Sequence, residues 1–167
     1  MTAWHLAQIN LAHARYPLDD PQLADFMAQL DEINALAERS PGFVWRLQSD
    51  SGNATDIKVS DDPKLIVNMS VWESAESLFD YVYTSGHRPV MARRREWFLP
   101  PKGTYQVLWW IAAGTTPSVQ DGLERLARLE REGPTPQAFT FKKRFPPPGD
   151  SGGPKDLAPD PYCVGWE

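Results

Sequence analysis

Apolar and polar positions alternate with period two at the start of the chain. Trp4 to Leu11 therefore reads as a strand, with Leu6, Gln8 and Asn10 on one face and His5, Ala7 and Ile9 on the other. Asp20-Pro21 opens a helix, because aspartate accepts from the free amides of the first turn and proline suits the first helical position. Leu23, Phe26, Met27, Leu30, Ile33, Leu36 and Ala37 then recur at helical spacing until Ser40-Pro41-Gly42. Phe43 to Gln48 reads as a second strand, with Phe43, Trp45 and Leu47 opposite Val44, Arg46 and Gln48. A polar connection, Ser49 to Lys64, leads to the strand Leu65 to Trp72, apolar on both faces except at Asn68 and Ser70. Ser74 caps a helix through Leu78, Phe79, Val82 and Tyr83, and Ser85-Gly86 breaks it. A second helical piece starts near His87-Arg88-Pro89, carries Arg93, Arg94 and Arg95, and closes on Trp97-Phe98. Tyr105 to Ala112 is an aromatic-rich strand, and Thr116-Pro117 starts a helix carried by Leu123, Leu126, Ala127 and Leu129 to Gly133-Pro134. Phe139, Phe141 and Phe145 are spaced for one face of a short final strand. The Pro/Gly-rich stretch 146–167 reads as a tail behind a domain of residues 1–145, though Tyr162, Val164 and Trp166 alternate near its end.

This order predicts an α+β domain on the ferredoxin-like, split βαβ plan, with three helices on a four-strand antiparallel core. The Leu65 strand is apolar on both sides, so both faces of the sheet need cover. A symmetric homodimer closing two sheets into a dimeric α/β barrel supplies it.

Composition narrows the partners. A net charge of −5 over 167 residues argues against nucleic acid and anionic membrane, with the Arg93–Arg95 run as the local exception. A single cysteine, Cys163, excludes an internal disulfide and any CxxC site. No signal-peptide pattern follows Met1 and no segment is apolar enough to span a membrane, so the expected setting is cytoplasmic.

The candidate chemistry is sparse. His5, His13 and His87 are far apart and lack metal-ligand spacing, and no phosphate loop or nucleophile elbow is present. Seven tryptophans leave two readings: core packing, or a flat pocket for a ring-shaped ligand lined by Trp45, Trp72 and Trp97. Asn68 in mid-strand either ties down backbone or faces that ligand, since an unpaired buried amide is costly. His87 is either a helix-terminus residue or an acid–base group. One arginine of the run would hold an anion by charge-assisted bonds.

Pro41-Gly42-Phe43 and Val71-Trp72-Glu73-Ser74-Ala75-Glu76, with an aromatic-rich helix behind, resemble the dimeric α/β-barrel superfamily. That group includes antibiotic-biosynthesis and haem-degrading monooxygenases. HLAQIN, SGHRPVMARRREWF and GPTPQAFTF together look like one domain-of-unknown-function branch of it, over residues 4 to 145. The resemblance implies two activities. In the cofactor-free members an Asn and a Trp four apart on this strand, with an Arg on the next helix, serve the substrate. Asn68 and Trp72 match, and Arg93 or Arg94 falls in place. In the haem-degrading members an Asn on the first strand accompanies a Trp and an axial His; Asn10 fits, Tyr81 takes the Trp position, and His87 lies one turn before the His position. The leading expectation is a cofactor-independent monooxygenase-like enzyme for an aromatic or polyketide-like molecule. In it Asn68 and Trp72 orient the ligand, Arg93 or Arg94 holds negative charge, and His87 moves a proton. Haem binding through His87 and a non-catalytic dimeric binding protein are the alternatives.

Overall fold

The strand β1 (Trp4–His13) runs down the middle of a four-stranded antiparallel sheet of order β2-β3-β1-β4. Its partners are β3 (Leu65–Trp72) and β4 (Gln106–Ala112), and β2 (Phe43–Arg46) completes the β3 edge. The computed structural model describes residues 3–49, 52, 54–55, 57–84 and 87–156, and of 83, 84, 87, 88 and 156 the backbone alone. The order is that of the split βαβ plan.

The register stacks the front of the sheet into rows. Gln106, Asn10 and Asn68 form one row; Leu108, Gln8, Ser70 and Arg46 the next; Trp110, Leu6, Trp72 and Phe43 the third. A bulge between Phe43 and Trp45 sets the β2 end of these rows. Simple alternation puts Phe43 and Trp45 on one face. The bulge instead leaves Phe43 edge-on to Trp72 in front, sends Trp45 to the back against Val71, and exposes Val44.

Helices close the front. α1 (Ala24–Glu38) follows a 3₁₀ turn that Asp20 caps by accepting from the Gln22 amide at 2.8 Å. α2 (Ala75–Phe79) is capped by Ser74, then widens into a π-helical turn over Asp80–Thr84; α3 (His87–Ala92) and a 3₁₀ turn, Arg94–Glu96, follow. Gly42 locks the end of α1 to the start of α2. Its φ of 82° and a Ser77 Oγ only 2.1 Å from where a Cβ would stand both demand glycine, and its carbonyl accepts from the Glu73 amide at 2.7 Å. The Pro41-Gly42-Phe43 and Trp72-Glu73-Ser74 motifs thus meet in space.

The back of the sheet is covered by the chain itself. α4 (Val119–Glu132) lays Leu126 and Leu129 on Ala7, Ile9, Val107 and Trp109, while Trp45, Leu47, Ile57 and Val59 finish the cover. Ser118, two residues beyond the cap expected at Thr116, caps α4 reciprocally with Asp121. Every back-facing residue from Ala7 to Ile9 and Val67 to Val71 is buried within one chain. Two-sided apolarity therefore does not require a second copy, because a helix does what the barrel partner was expected to do.

Beyond α4, Phe139 bridges Leu108 at the free edge of β4, and Phe139 and Phe141 are buried in the front core with Phe145 against it. A two-residue strand β5 (Lys143–Arg144) pairs with β6 (Lys155–Asp156), so part of the expected tail folds back on the domain. Tyr162, Val164 and Trp166 lie outside the described residues. Among the described residues no helix is long and apolar enough to cross a membrane.

Candidate functional site

Between the front of the sheet and the helices lies a cavity of about 490 Å³. Its floor is the polar end of the rows: Gln8, Asn10, Asn68 and Ser70, closed at one end by Trp72. Its roof is the apolar stripe of α1, with Phe26, Leu30, Ile33 and Ala37. That stripe explains an oddity of α1, in which Ala37 alone is buried: the helix spans empty space rather than packed core. Leu78, Tyr81, Val82, Met91, Arg94 and Trp97 form the wall behind.

The floor has a fixed hydrogen-bond polarity. Gln8 Nε2 donates to Asn68 Oδ1 at 2.8 Å and to Ser70 Oγ at 2.9 Å, which uses both of its protons. The Trp72 indole Nε1–H donates to the same Ser70 Oγ at 2.9 Å. Ser70 Oγ has thus accepted twice, and its one proton is left to donate. Asn68 accepts through Oδ1, and its amide N–H groups have no partner among the described residues. Asn68 is the exposed residue of β3, in mid-sheet, because the cavity opens over it. Asn10 lines the cavity too, and Gln106 beside it in register is buried with Nε2 unpartnered among the described residues.

Charge favours anions throughout. Arg46, Arg94, Lys102 and His13 line the cavity, and among the described lining residues there is no Asp or Glu, in a chain with 22 of them. Arg94 is buried, its Nη1 3.9 Å from Met91 Sδ. Arg46 is 12 % exposed at the side chain; Nε donates to Glu38 at 2.8 Å and Nη2 to the Gly52 carbonyl at 2.7 Å. Tyr81, in the π-helical turn, stacks on Trp72 at 5.1 Å and donates to the Ile33 carbonyl at 3.2 Å. Burial raises its phenol well above its ordinary pKa, against a smaller lowering by Arg46, so it is a neutral donor at any physiological pH.

The structure thus brings together Asn10, Asn68, Trp72, Tyr81, Arg94 and Trp97 of the expected set. It corrects three readings. Trp45 belongs to the back core, through the bulge. Arg93 is spent outside the cavity, 2.7 Å from Glu96, 3.2 Å from Asp25 and over the Trp97 ring. The Trp72 indole N–H is committed to Ser70, so Trp72 polarises the floor rather than meeting a ligand through that group. His87 opens α3, and its side chain lies outside the described residues. Gln8, Ser70 and Arg46 are additions. Gln8 shares the Asn10 face in the sequence pattern, but the bulge hides Arg46 from it.

Haem would need an axial ligand here. His13 Nε2 is 2.9 Å from Asp62 and the residue is exposed, so the described residues carry no argument for haem.

The fold is that of an α+β protein with a cavity between sheet and helices. The chain belongs to the family described as a domain of unknown function, DUF3291, whose model matches residues 5–153. Among solved structures it is similar to SnoaB, a cofactor-independent oxygenase from Streptomyces nogalater: 18 % identity over 67 % of this chain and 95 % of that one, TM-score 0.42. A protein of unknown function from Nitrosomonas europaea is 15 % identical over 71 % and 99 % of the two chains, TM-score 0.42. PA3566 from Pseudomonas aeruginosa is 11 % identical over 69 % and 99 %, TM-score 0.44. Likenesses this low say nothing of activity. No curated protein matches the chain.

Proposed function

We propose that this protein is a cofactor-independent, monooxygenase-like enzyme acting on an aromatic or polyketide-like carbon acid. The observation that carries the reading is a cavity with no carboxylate among its described lining residues, whose floor holds the Ser70 hydroxyl and the Asn68 amide, both with protons that find no acceptor among the described residues. Donors placed where charge develops stabilise an anion at no cost in reorganisation. A ring-activated methylene, R₂CH₂, loses a proton to His87 at the start of α3. Its electron pair is delocalised onto an oxygen held by the Asn68 amide protons, with Arg94 on the wall. The carbanion reduces oxygen and captures it as R₂CH–OO⁻, which takes the proton back and loses water. The balance is R₂CH₂ + O₂ → R₂C=O + H₂O, with no external reductant.

Oxygen uptake with anthrone, a tricyclic carbon acid, tests this. The wild type should exceed the spontaneous oxidation, and Asn68→Ala should lose roughly 10²–10³ of the excess, as removal of one anion-stabilising donor does. His87→Gln should lose a similar factor, since a positioned acid–base group supplies about 10²–10⁴. Uptake at the spontaneous rate with every variant and with a panel of related carbon acids refutes it.

A further inference from the structure

We propose that the molecule this cavity takes is a carboxylic acid, its ionised carboxylate held by Arg46 and the Ser70 hydroxyl at the β2–β3 edge and its flat apolar body running under α1. This rests on the small-molecule reading proposed above and names the class of its ligand.

Arg46 and Ser70 are directly paired across β2 and β3, and both line the cavity. A guanidinium has five N–H donors. Glu38 and the Gly52 carbonyl engage Nε and one Nη2 proton, so three N–H groups have no partner among the described residues on a side chain only 12 % exposed. Glu38 does not belong to the lining and is itself 46 % exposed, so it occupies none of the N–H groups that face the cavity. Its grip on Nε instead fixes the fork, and a preorganised fork matches a planar carboxylate in two parallel bonds. Ser70 adds a third donor, its own acceptor sites already filled by Gln8 and Trp72. Tyr81, which Arg46 acts on electrostatically, stays protonated and brings no competing charge.

The remaining wall suits the rest of such a molecule. Phe26, Leu30, Ile33 and Trp97 are apolar, and about 490 Å³ holds several fused rings. Lys102 adds positive charge elsewhere on the lining, and the absence of Asp and Glu from the described lining disfavours amines.

Calorimetric titration of anthracene-2-carboxylate against anthracene-2-carboxamide tests the proposal without oxygen chemistry. The carboxylate should bind the wild type at least about tenfold more tightly, as a charge-assisted pair predicts. Arg46→Gln should collapse that preference to within about twofold. Glu38→Gln removes the ion-pair charge but keeps a side-chain oxygen to accept from Nε, so the fork stays placed and the preference should remain; circular dichroism checks both folds. Equal affinity for the two probes, a preference that survives Arg46→Gln, or one lost equally in Glu38→Gln overturns the proposal. An acid bound but never oxidised would sink the oxygenase reading alone. Oxidation of neutral rings with no preference for acids would sink this one alone.

Discussion

Gly122 in α4 tests the claim that this chain covers the back of its own sheet. A Cβ at position 122 would stand 2.6 Å from Ile9 Cδ1 and 3.2 Å from Ile9 Cβ and Cγ2. Ile9 is fully buried, so the clash has no open side. Two effects oppose. Alanine in a helix interior is favoured over glycine by about 1 kcal/mol. Forcing a methyl into packed core costs about 1–3 kcal/mol, because the neighbours must leave their rotamers or the backbone must shift. The Cδ1 atom can swing away, but Cβ is bound to the β1 backbone and Cγ2 moves only with it. The strain therefore exceeds the propensity gain, and Gly122→Ala should destabilise by about 1 kcal/mol net.

The signature is in the coupling. Ile9→Val removes the atom at 2.6 Å and alone costs about 0.5–1.5 kcal/mol. Added to Gly122→Ala it should cost less than that, with a favourable coupling of about 0.5–1 kcal/mol. Urea denaturation of the four proteins, with equal slopes as the two-state check, measures it. A Gly122→Ala protein that gains the full helix propensity, with strict additivity, would mean that α4 does not seat on Ile9, and the back face would again need a second copy.

Gln8→Glu removes both donated protons and sets a carboxyl against two acceptors, so anion binding should fall at least about tenfold at neutral pH and recover partly on acidification as that carboxyl protonates; an unchanged affinity would break the assigned polarity of the floor. Tyr81 binds its proton more tightly folded than unfolded, so its contribution is complete below the ordinary phenol pKa of 10.0 and is lost as pH rises beyond it. Tyr81→Phe should flatten the fall of stability above pH 10.0, read by denaturation across alkaline buffers, and an unaltered fall contradicts the burial. Arg93→Ala should leave ligand affinity unchanged because its guanidinium holds Glu96 and Asp25, whereas Arg94→Gln should weaken it; equal effects in calorimetry refute the division between them.

Much of the fold is legible because its elements follow single strong periodicities. Leu65–Trp72 has the bounds that its apolar run implies, and Asp20, Ser74 and Gly42 start or stop helices where their chemistry says. What was illegible is non-local. One bulged residue, Val44, reverses the face of everything before it in β2, and alternation contains no mark of it. The role of α4 was invisible for another reason. Its apolar stripe announces that it packs on something, but only the fit of Gly122 over Ile9 says that the something is the back of this sheet. Likewise the α1 stripe reads as core, and only three dimensions reveal that it roofs a cavity.

The site was half legible for the same reason. Asn68 and Ser70 interrupt an apolar strand, and Gln8 and Asn10 interrupt its neighbour at the same spacing, so polar rows follow once the two strands pair. Their meaning lies in proton counting. A sheet built for stability alone would fill these positions with apolar side chains, or with polar groups that satisfy one another completely. Here the satisfaction is deliberate up to a point: Trp72 and Gln8 fill Ser70, and Gln8 fills the Asn68 carbonyl. These three bonds leave the Asn68 amide and the Ser70 hydroxyl as donors among the described residues. Unmatched donors on a cavity floor add nothing to folding, since water serves them equally well in the unfolded chain. They add affinity for a ligand that brings acceptors, and most for one that brings negative charge.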